Sequence, residues 1–366
     1  MIVRRYQSDD AARIARLNDR LTAGGANWPV YPEGPHDNPA GGPITSRLFV
    51  AEDGDEIRGA VWLREHDFQV AGQMVRIGWA KYPVAESLVN PAYSGVPGAL
   101  LIRLLREQPR LMALGLGGHQ GAFARLLAGL RWSGDSVPFY LLPVRPSRVL
   151  RHLPHLRHTA ARRAALNALA YSGLGWLAWK AVELARRVAA GSPPRGVTIA
   201  VVDRFESWAD EIWNRCHARY DFVARRDAAM LEAVYPREMP VVRLRVRRDG
   251  ADIGWAVVVL REPAGVVAAR FGPLTLGLVA DGFALPADAR AVVTVAAAYL
   301  RERGADLLLS NQSHPAWGEA LTSAGFVAGP SQFAFYRAPK VAALFGGGQP
   351  PVFHVNRGDC DGPLFL

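Results

Sequence analysis

A chain of 366 residues, 50% hydrophobic and 21% charged, is long enough for two globular domains with full cores and too evenly mixed to be disordered or fibrous. Cys216 and Cys360 are its only cysteines, which excludes a disulfide framework and a cysteine zinc site; no metal is expected. The net charge of +10 favours an anionic partner such as a phosphorylated cofactor, a nucleotide-linked substrate, a lipid surface or a nucleic acid, although an Arg- and Ala-rich compositional bias produces the same surplus.

In chain order, residues 2–6 read as a strand. Asp9 or Asp10 caps a helix to about Leu21, with Ile14, Leu17 and Leu21 on one stripe. A Pro/Gly-rich loop covers residues 24–43, and residues 48–51 and 57–64 flank Glu52-Asp53-Gly54-Asp55 as a hairpin. Strands are expected at 74–79 and 84–89, and Pro97 suits the first turn of a helix reaching Leu105. A strand at 111–116, a helix at 120–130 and a closing strand at 137–144 follow.

A second set runs in the same order. It has a strand at 197–202, a helix at 207–219 with Ser207 as N-cap, and a hairpin of 241–247 and 253–260 around Arg248-Asp249-Gly250-Ala251-Asp252. Then come a strand at 276–285, a helix at 288–303 capped by Asp288, a strand at 307–310, a helix at 315–324 ended by Gly325, and a strand at 332–337.

Sequence matches link the sets. Asp53-Gly54, Ile57, Gly129 and Phe139-Tyr140 reappear as Asp249-Gly250, Ile253, Gly325 and Phe335-Tyr336, each 196 positions on. The chain therefore reads as a duplication, with domains at 1–147 and 196–340, a linker at 148–195 and a tail at 341–366. The stretch between the copies, from Arg145 to Pro194, opens with Arg145, Arg148, Arg151, His152, His155, Arg157, His158, Arg162 and Arg163, and then runs uncharged from Ala164 to Trp179. That run is short of the ~20 residues needed to span a bilayer, and Ser172-Gly173 and Gly175 weaken a helix there. Two readings stand. One is a helix pair packed across the domains; the other is an interfacial helix making peripheral membrane contact, with Trp176 and Trp179 at headgroup depth.

The strand–helix–hairpin–strand–helix–strand–helix–strand order, seen twice, resembles the GCN5-related N-acetyltransferase fold: an α/β fold with an α+β mixed sheet. Pro91-Ala-Tyr-Ser-Gly-Val-Pro-Gly-Ala99 is similar to that family's acyl-CoA loop, and Ala324-Gly325-Phe326 to its helix-ending Gly-Phe. The duplication is also similar to Fem-type peptidyl transferases and their relatives in cell-envelope and exopolysaccharide loci, whose tails the stretch Asn356-Arg-Gly-Asp-Cys-Asp-Gly362 resembles. The resemblance implies acetyl-CoA or another acyl-CoA as cofactor. It would be held by Ser94, Gly95, Val96, Gly98 and Ala99, whose backbone N–H groups meet the pyrophosphate at a helix N-terminus.

This loop departs from the family pattern. Ser94 replaces the usual Arg or Gln, and Pro97, without an N–H, replaces the first Gly. The second copy has Leu285-Pro-Ala-Asp-Ala-Arg290, with no Gly and with Asp288 set to repel a phosphate. The family's tyrosine acid falls near Arg125 and Leu321, neither of which can donate a proton in its place.

Glu86 is the candidate catalytic base, on the strand entering the loop, against the alternative of a solvated strand glutamate. His314 is the candidate catalytic residue of the second copy, with Asn311, Ser313, Trp317 and His119 as candidate substrate contacts at strand mouths; helix capping is the alternative. Asp359 and Asp361 form part of a calcium-loop spacing without its remaining ligands, so a tail folded across a domain is expected.

The expected function is acyl or aminoacyl transfer to a polar cell-envelope or polysaccharide precursor, a small molecule or glycan. The alternatives are a non-catalytic binding or assembly protein of the same fold, and an aminoacyl-tRNA-dependent transferase. No aromatic–basic run marks a nucleic-acid groove, so no nucleic acid is expected. Residues 1–10 are charged at once, which predicts a cytoplasmic protein, peripheral at most at the inner face of the membrane.

Overall fold

The computed structural model describes residues 1–26, 30, 42–115, 117–177, 179–181, 184, 194–346 and 350–359. Most of the Pro/Gly-rich loop at 24–43, Arg186, Arg187, Gly191, Ser192, Pro193, Cys360 and Asp361 lie outside the described residues.

Chain contacts divide the molecule into two units. One comprises residues 1–136, 221–225 and 332–351; the other comprises 137–220, 226–331 and 352–366. The units do not follow the sequence halves. In the first, β1 (Ile2–Arg5), β2 (Thr45–Asp53), β3 (Glu56–Val70), β4 (Gln73–Ala85) and β5 (Leu111–Gly115) form a sheet that ends with β6 (Ser133–Ser136). In the second, β7 (Phe139–Pro143) lies among β8 (Val197–Val202), β10 (Val242–Arg248), β11 (Ala251–Arg261), β12 (Leu276–Ala284), β13 (Leu307–Asn311) and β14 (Val327–Gly329), while β9 (Phe222–Ala224) pairs with β3 in the first unit. The last strand, β15 (Ala334–Arg337), returns to the first sheet. The orders are β1-β2-β3-β4-β5-β15-β6 and β14-β7-β13-β12-β11-β10-β8, so each half supplies the other unit's closing strand.

Strand alternation sorts the first unit's side chains. Leu48, Val50, Ala60 and Trp62 pack with Ile14, Leu17 and Leu21 of the Ala11–Ala23 helix on one face. Phe49, Ala51, Val61 and Leu63 pack with Leu100, Leu101 and Leu104 of the Val96–Glu107 helix on the other. The second unit buries Leu276, Leu278, Leu307 and Leu309 against Val149 and Phe271. Its opposite face meets the Ala289–Glu302 helix, where Leu300 approaches Gly277.

The duplication is present, but its sequence register is one residue out at the hairpin. The first turn is Gly54-Asp55, between paired Asp53 and Glu56, whereas the second is Asp249-Gly250, between Arg248 and Ala251. The closing strands do correspond. Counted from the parallel pairs Gly78–Leu111 and Gly277–Leu308, Leu114 and Asn311 are equivalent, and they face Phe335 and Phe139.

The strands expected at 74–79 and 84–89 are one strand, β4. An extra residue opposite Ala60–Trp62 bulges it, with Tyr82 at φ +46°, and so makes room for Pro83. Glu86 therefore sits in a 3₁₀ turn, Glu86–Leu88, and not on a strand. The expected linker helix runs Ala160–Tyr171, breaks at Ser172 and Gly173 (φ +75°), and resumes at Leu174. No helix among the described residues is long and apolar enough to cross a membrane.

Candidate functional site

Both central strands carry a bulge where their parallel neighbour leaves. In the first unit the last β4–β5 pair is Trp79–Met112, and the β4 bulge follows at Lys81–Val84. In the second the last β12–β13 pair is Val279–Ser310, and Ala280 is the extra residue opposite Val257–Val258. Each divergence leaves a wedge of backbone groups without a sheet partner, where an extended chain can hydrogen-bond to the splayed strands.

Beyond β4 the first unit's chain turns through Glu86–Leu88 and Pro91–Tyr93 into the helix Val96–Glu107, whose N-cap is Gly95. Pro97 occupies the first turn without removing a helical bond, because N–H groups there lack intrahelical acceptors. Ser94 and Gly95 are exposed, and Gly98 and Ala99 half-buried; Val96 is anchored in the core at 1% exposure. A Cβ at Gly95 or Gly98 would meet nothing within 4 Å. The glycines therefore keep space in front of free helix amides, the arrangement that holds a pyrophosphate.

Glu86 is buried behind this loop. Its Oε2 accepts from Arg20 Nε at 3.1 Å and from Arg58 Nη1 at 3.0 Å, and its Oε1 from Arg58 Nη1 at 3.2 Å. The Arg58 guanidinium in turn lies 4.4 Å over the Tyr93 ring. Glu86 thus ties the strand end to the loop through Arg58, and both its oxygens are engaged in ion pairs.

His119 lies in the loop after β5. Its Nδ1 is 3.1 Å from the Tyr336 hydroxyl and its Nε2 is 2.8 Å from Ser136 Oγ. Tyr336 pairs with Ala113, the first β5 residue beyond the last β4–β5 pair, and packs on the helix-bearing face with Leu100, Ala124 and Leu127. A Ser–His–Tyr hydrogen-bonded chain therefore stands one strand from the wedge. Sequence reading reached His119 but not Tyr336, because the two are 217 positions apart and only strand exchange joins them.

The second wedge holds the protein's own tail. Gly358 N–H donates to Ala280 O at 3.1 Å on the β12 side. On the β13 side Asn356 bridges Gln312, and Ser313 N–H donates to Val355 O at 3.0 Å. A buried cluster locks the tail in place. Asp281 Oδ1 accepts from Asn356 Nδ2 at 2.7 Å, its Oδ2 from the Tyr235 hydroxyl at 2.7 Å, and Arg226 bridges Asp281 and Asp359 at 3.2 and 3.1 Å. Burial pushes the Asp359 carboxyl up to about 6 against the pull of Arg226, with the Asp281 charge adding to the rise. Gly358 is required here, since a Cβ would stand 2.1 Å from the Tyr235 hydroxyl.

The second-copy candidates surround this plug. Ser313 Oγ donates to Phe353 O and accepts from Val355 N–H, at 2.6 and 2.8 Å. His314, 8% exposed, caps the helix Pro315–Ser323, its Nδ1 accepting from Ala316 N–H at 3.2 Å. Asn311 Nδ2 donates to Pro138 O at 3.3 Å. Trp317, 2% exposed, donates to the Tyr220 hydroxyl at 2.9 Å. Asp288 makes no cap bond but accepts from Arg248 Nη1 at 2.7 Å, which occupies the helix entrance that a phosphate would use. Asp359, expected only as part of a tail spacing, is ion-paired to Arg226.

No family model matches the sequence, and no curated protein matches it. Solved structures do match. A GCN5-related N-acetyltransferase from Anabaena variabilis aligns with TM-score 0.52 and 8% identity over 92% of this chain and 72% of its own. An Enterococcus faecalis protein of unknown function, described as a probable N-acyltransferase, aligns with TM-score 0.50 and 10% identity over 94% of this chain and 73% of its own. A tandem protein of the same fold from the clavulanic acid pathway aligns at TM-score 0.46 and 13% identity, covering 92% and 98% of the two chains. With two bulged, splayed mixed sheets, this chain has the GCN5-related N-acetyltransferase fold in tandem.

Proposed function

We propose that the protein is an N-acyltransferase that takes an acyl-CoA in the first unit and transfers the acyl group to an amine of a polar small molecule or glycan precursor. The observation that carries this reading is the contrast between the two helix entrances. At Ser94–Ala99 the glycines hold open space before the Gly95, Val96 and Gly98 amides, while those of Ser94 and Ala99, expected to meet the pyrophosphate, are bonded to Pro91 O and Gly95 O; in the second unit Arg248–Asp288 and the tail fill the same places. Acyl-CoA, when bound, supplies an activated thioester; acetyl-CoA is the simplest donor.

The chain's own residues have three tasks. Gly95, Val96 and Gly98 present backbone N–H groups and helix-dipole charge to the pyrophosphate. Glu86 positions the loop through Arg58 and Tyr93. Tyr336 replaces the missing family tyrosine as proton donor to the leaving thiolate, with His119 restoring its proton through the 3.1 Å contact, and the proton that the acceptor amine loses passes to solvent water because both Glu86 oxygens are ion-paired. The net charge of +10 suits an acceptor carrying phosphate, such as a nucleotide-linked or cell-envelope precursor. The second unit is best read as structural or binding, because its wedge is filled from within.

Thermal shift with acetyl-CoA and CoA tests the binding step. A ligand at 100 times its Kd stabilises by about 2.7 kcal/mol. Tyr336→Phe keeps the ring packed beside Gly134 and is expected to lower turnover by ~10²-fold with acyl-CoA affinity retained. If the parent protein shows no shift with CoA at millimolar concentration, the non-catalytic reading replaces this one.

A further inference from the structure

Residues 145–182 contain no Asp or Glu but seven Arg or Lys and three His. Folded as the helices Pro146–His152 and Ala160–Tyr171 and a resumed turn at Leu174, this segment leaves large apolar side chains in solvent. Tyr171 is 73% exposed, Leu174 58%, Leu177 55% and Trp176 46%. Arg162 and Arg163 are exposed on the preceding helix, and the Arg151 guanidinium lies 5.4 Å over the Tyr171 ring. A run of exposed Tyr, Leu and Trp on a segment of this positive charge is not the ordinary surface of a globular protein.

We propose that this segment docks on an anionic lipid surface. Leu174, Trp176 and Leu177 would enter the headgroup–acyl boundary, with Arg162 and Arg163 over lipid phosphates. Charge selects the occupant. A second copy set face to face would oppose cation to cation, whereas anionic headgroups complement the exposed Arg162 and Arg163. Leu174 and Leu177, the aliphatic side chains exposed on either side of Trp176, fit acyl chains, whereas a base-stacking surface has no use for them. Docking is lateral, because no described helix is long and apolar enough to cross a membrane.

Flotation of the full chain with phosphatidylglycerol–phosphatidylcholine vesicles tests this, with pure phosphatidylcholine vesicles in parallel. Binding is expected to the anionic vesicles alone. Arg162→Glu/Arg163→Glu should lower the bound fraction by about tenfold, since each cation near the surface contributes substantially to attraction. Leu174→Ser/Leu177→Ser should abolish binding even at low salt, where charge attraction is strongest. Both pairs are exposed, so the parent's melting midpoint should persist. Failure of the parent to float with anionic vesicles overturns the proposal, as does undiminished binding by the Leu pair. It is equally overturned by a lipid-free dimer that the Leu variant dissolves, or by RNA binding that the Arg variant abolishes.

Discussion

Replacing Arg226 by Met tests whether the tail is held by a buried ion cluster. Arg226, Asp281 and Asp359 side chains are each 3% exposed, so removing the guanidinium strands two carboxylates away from water. Breaking a buried pair in this way costs about 3–5 kcal/mol, which is roughly 6–20 °C of melting midpoint for a unit of this size. The pH dependence is the sharper readout. Asp359 titrates at about 6 in the fold, above the ordinary 3.8, so its contribution to stability is full below 3.8 and is lost as pH rises through about 6. The parent is therefore expected to gain stability as pH falls from about 7.5 to about 5, and the Arg226→Met deficit to shrink over the same range, because protonation removes one stranded charge. Urea unfolding of parent, Arg226→Met, Asp359→Asn and the double variant measures this, and the cycle should show strong coupling. A deficit under about 1 kcal/mol at pH 7.5, or one of equal size at both pH values, refutes the cluster as the tail's anchor.

Gly95→Val is expected to leave the melting midpoint unchanged, since a Cβ there meets no protein atom, and to abolish stabilisation by CoA; retained stabilisation would move the cofactor site elsewhere. Gly358→Ala should cost about 1–3 kcal/mol and speed proteolysis of the tail, because its Cβ collides with the Tyr235 hydroxyl and Asp281. Asp10→Asn should cost about 1–3 kcal/mol at neutral pH, measured by urea unfolding. Arg4 hydrogen bonds hold the Asp10 carboxyl below its ordinary value, so this contribution is present above about 3.8 and fades only as pH falls through the lowered folded value.

What the sequence showed was local. The apolar runs of the 48–51 and 57–64 hairpin, buried on both faces, and the Ile14, Leu17, Leu21 stripe report burial, and burial is what those positions experience. Strand exchange left no such mark. Phe139-Tyr140 and Phe335-Tyr336 present the same aromatic pair at the same pleat positions, so either closing strand suits either sheet. The β4 bulge was hidden because Lys81-Tyr82-Pro83 reads as a gap between two strands. Glu86 went to the wrong element for the same reason: the strand it was assigned to ends at Ala85. Arg226 gave no signal, since one arginine among 43 basic residues shows nothing of the two aspartates it will meet.

The tail motif ties these strands of reasoning together. Asn356 takes Asp281 through its side chain and accepts Gly358 N–H at its own Oδ1, making the turn that turns Asp359 back on Arg226. Gly358 lets that turn lie against Tyr235, and its N–H closes on the bulge carbonyl of Ala280. Four residues thus satisfy backbone groups that the splay of β12 from β13 would otherwise leave without partners, at the place where the fold offers an extended ligand its hydrogen bonds. The tail takes the places at Ala280, Gln312 and Ser313 that an extended chain would pair with. Among the described residues, the tail fills the second unit's wedge, and the helix entrance kept open by glycine is in the first. Duplication followed by sealing of one copy accounts for both facts, and it is why the proposed acyl transfer is assigned to the residues around Ser94–Ala99, His119 and Tyr336.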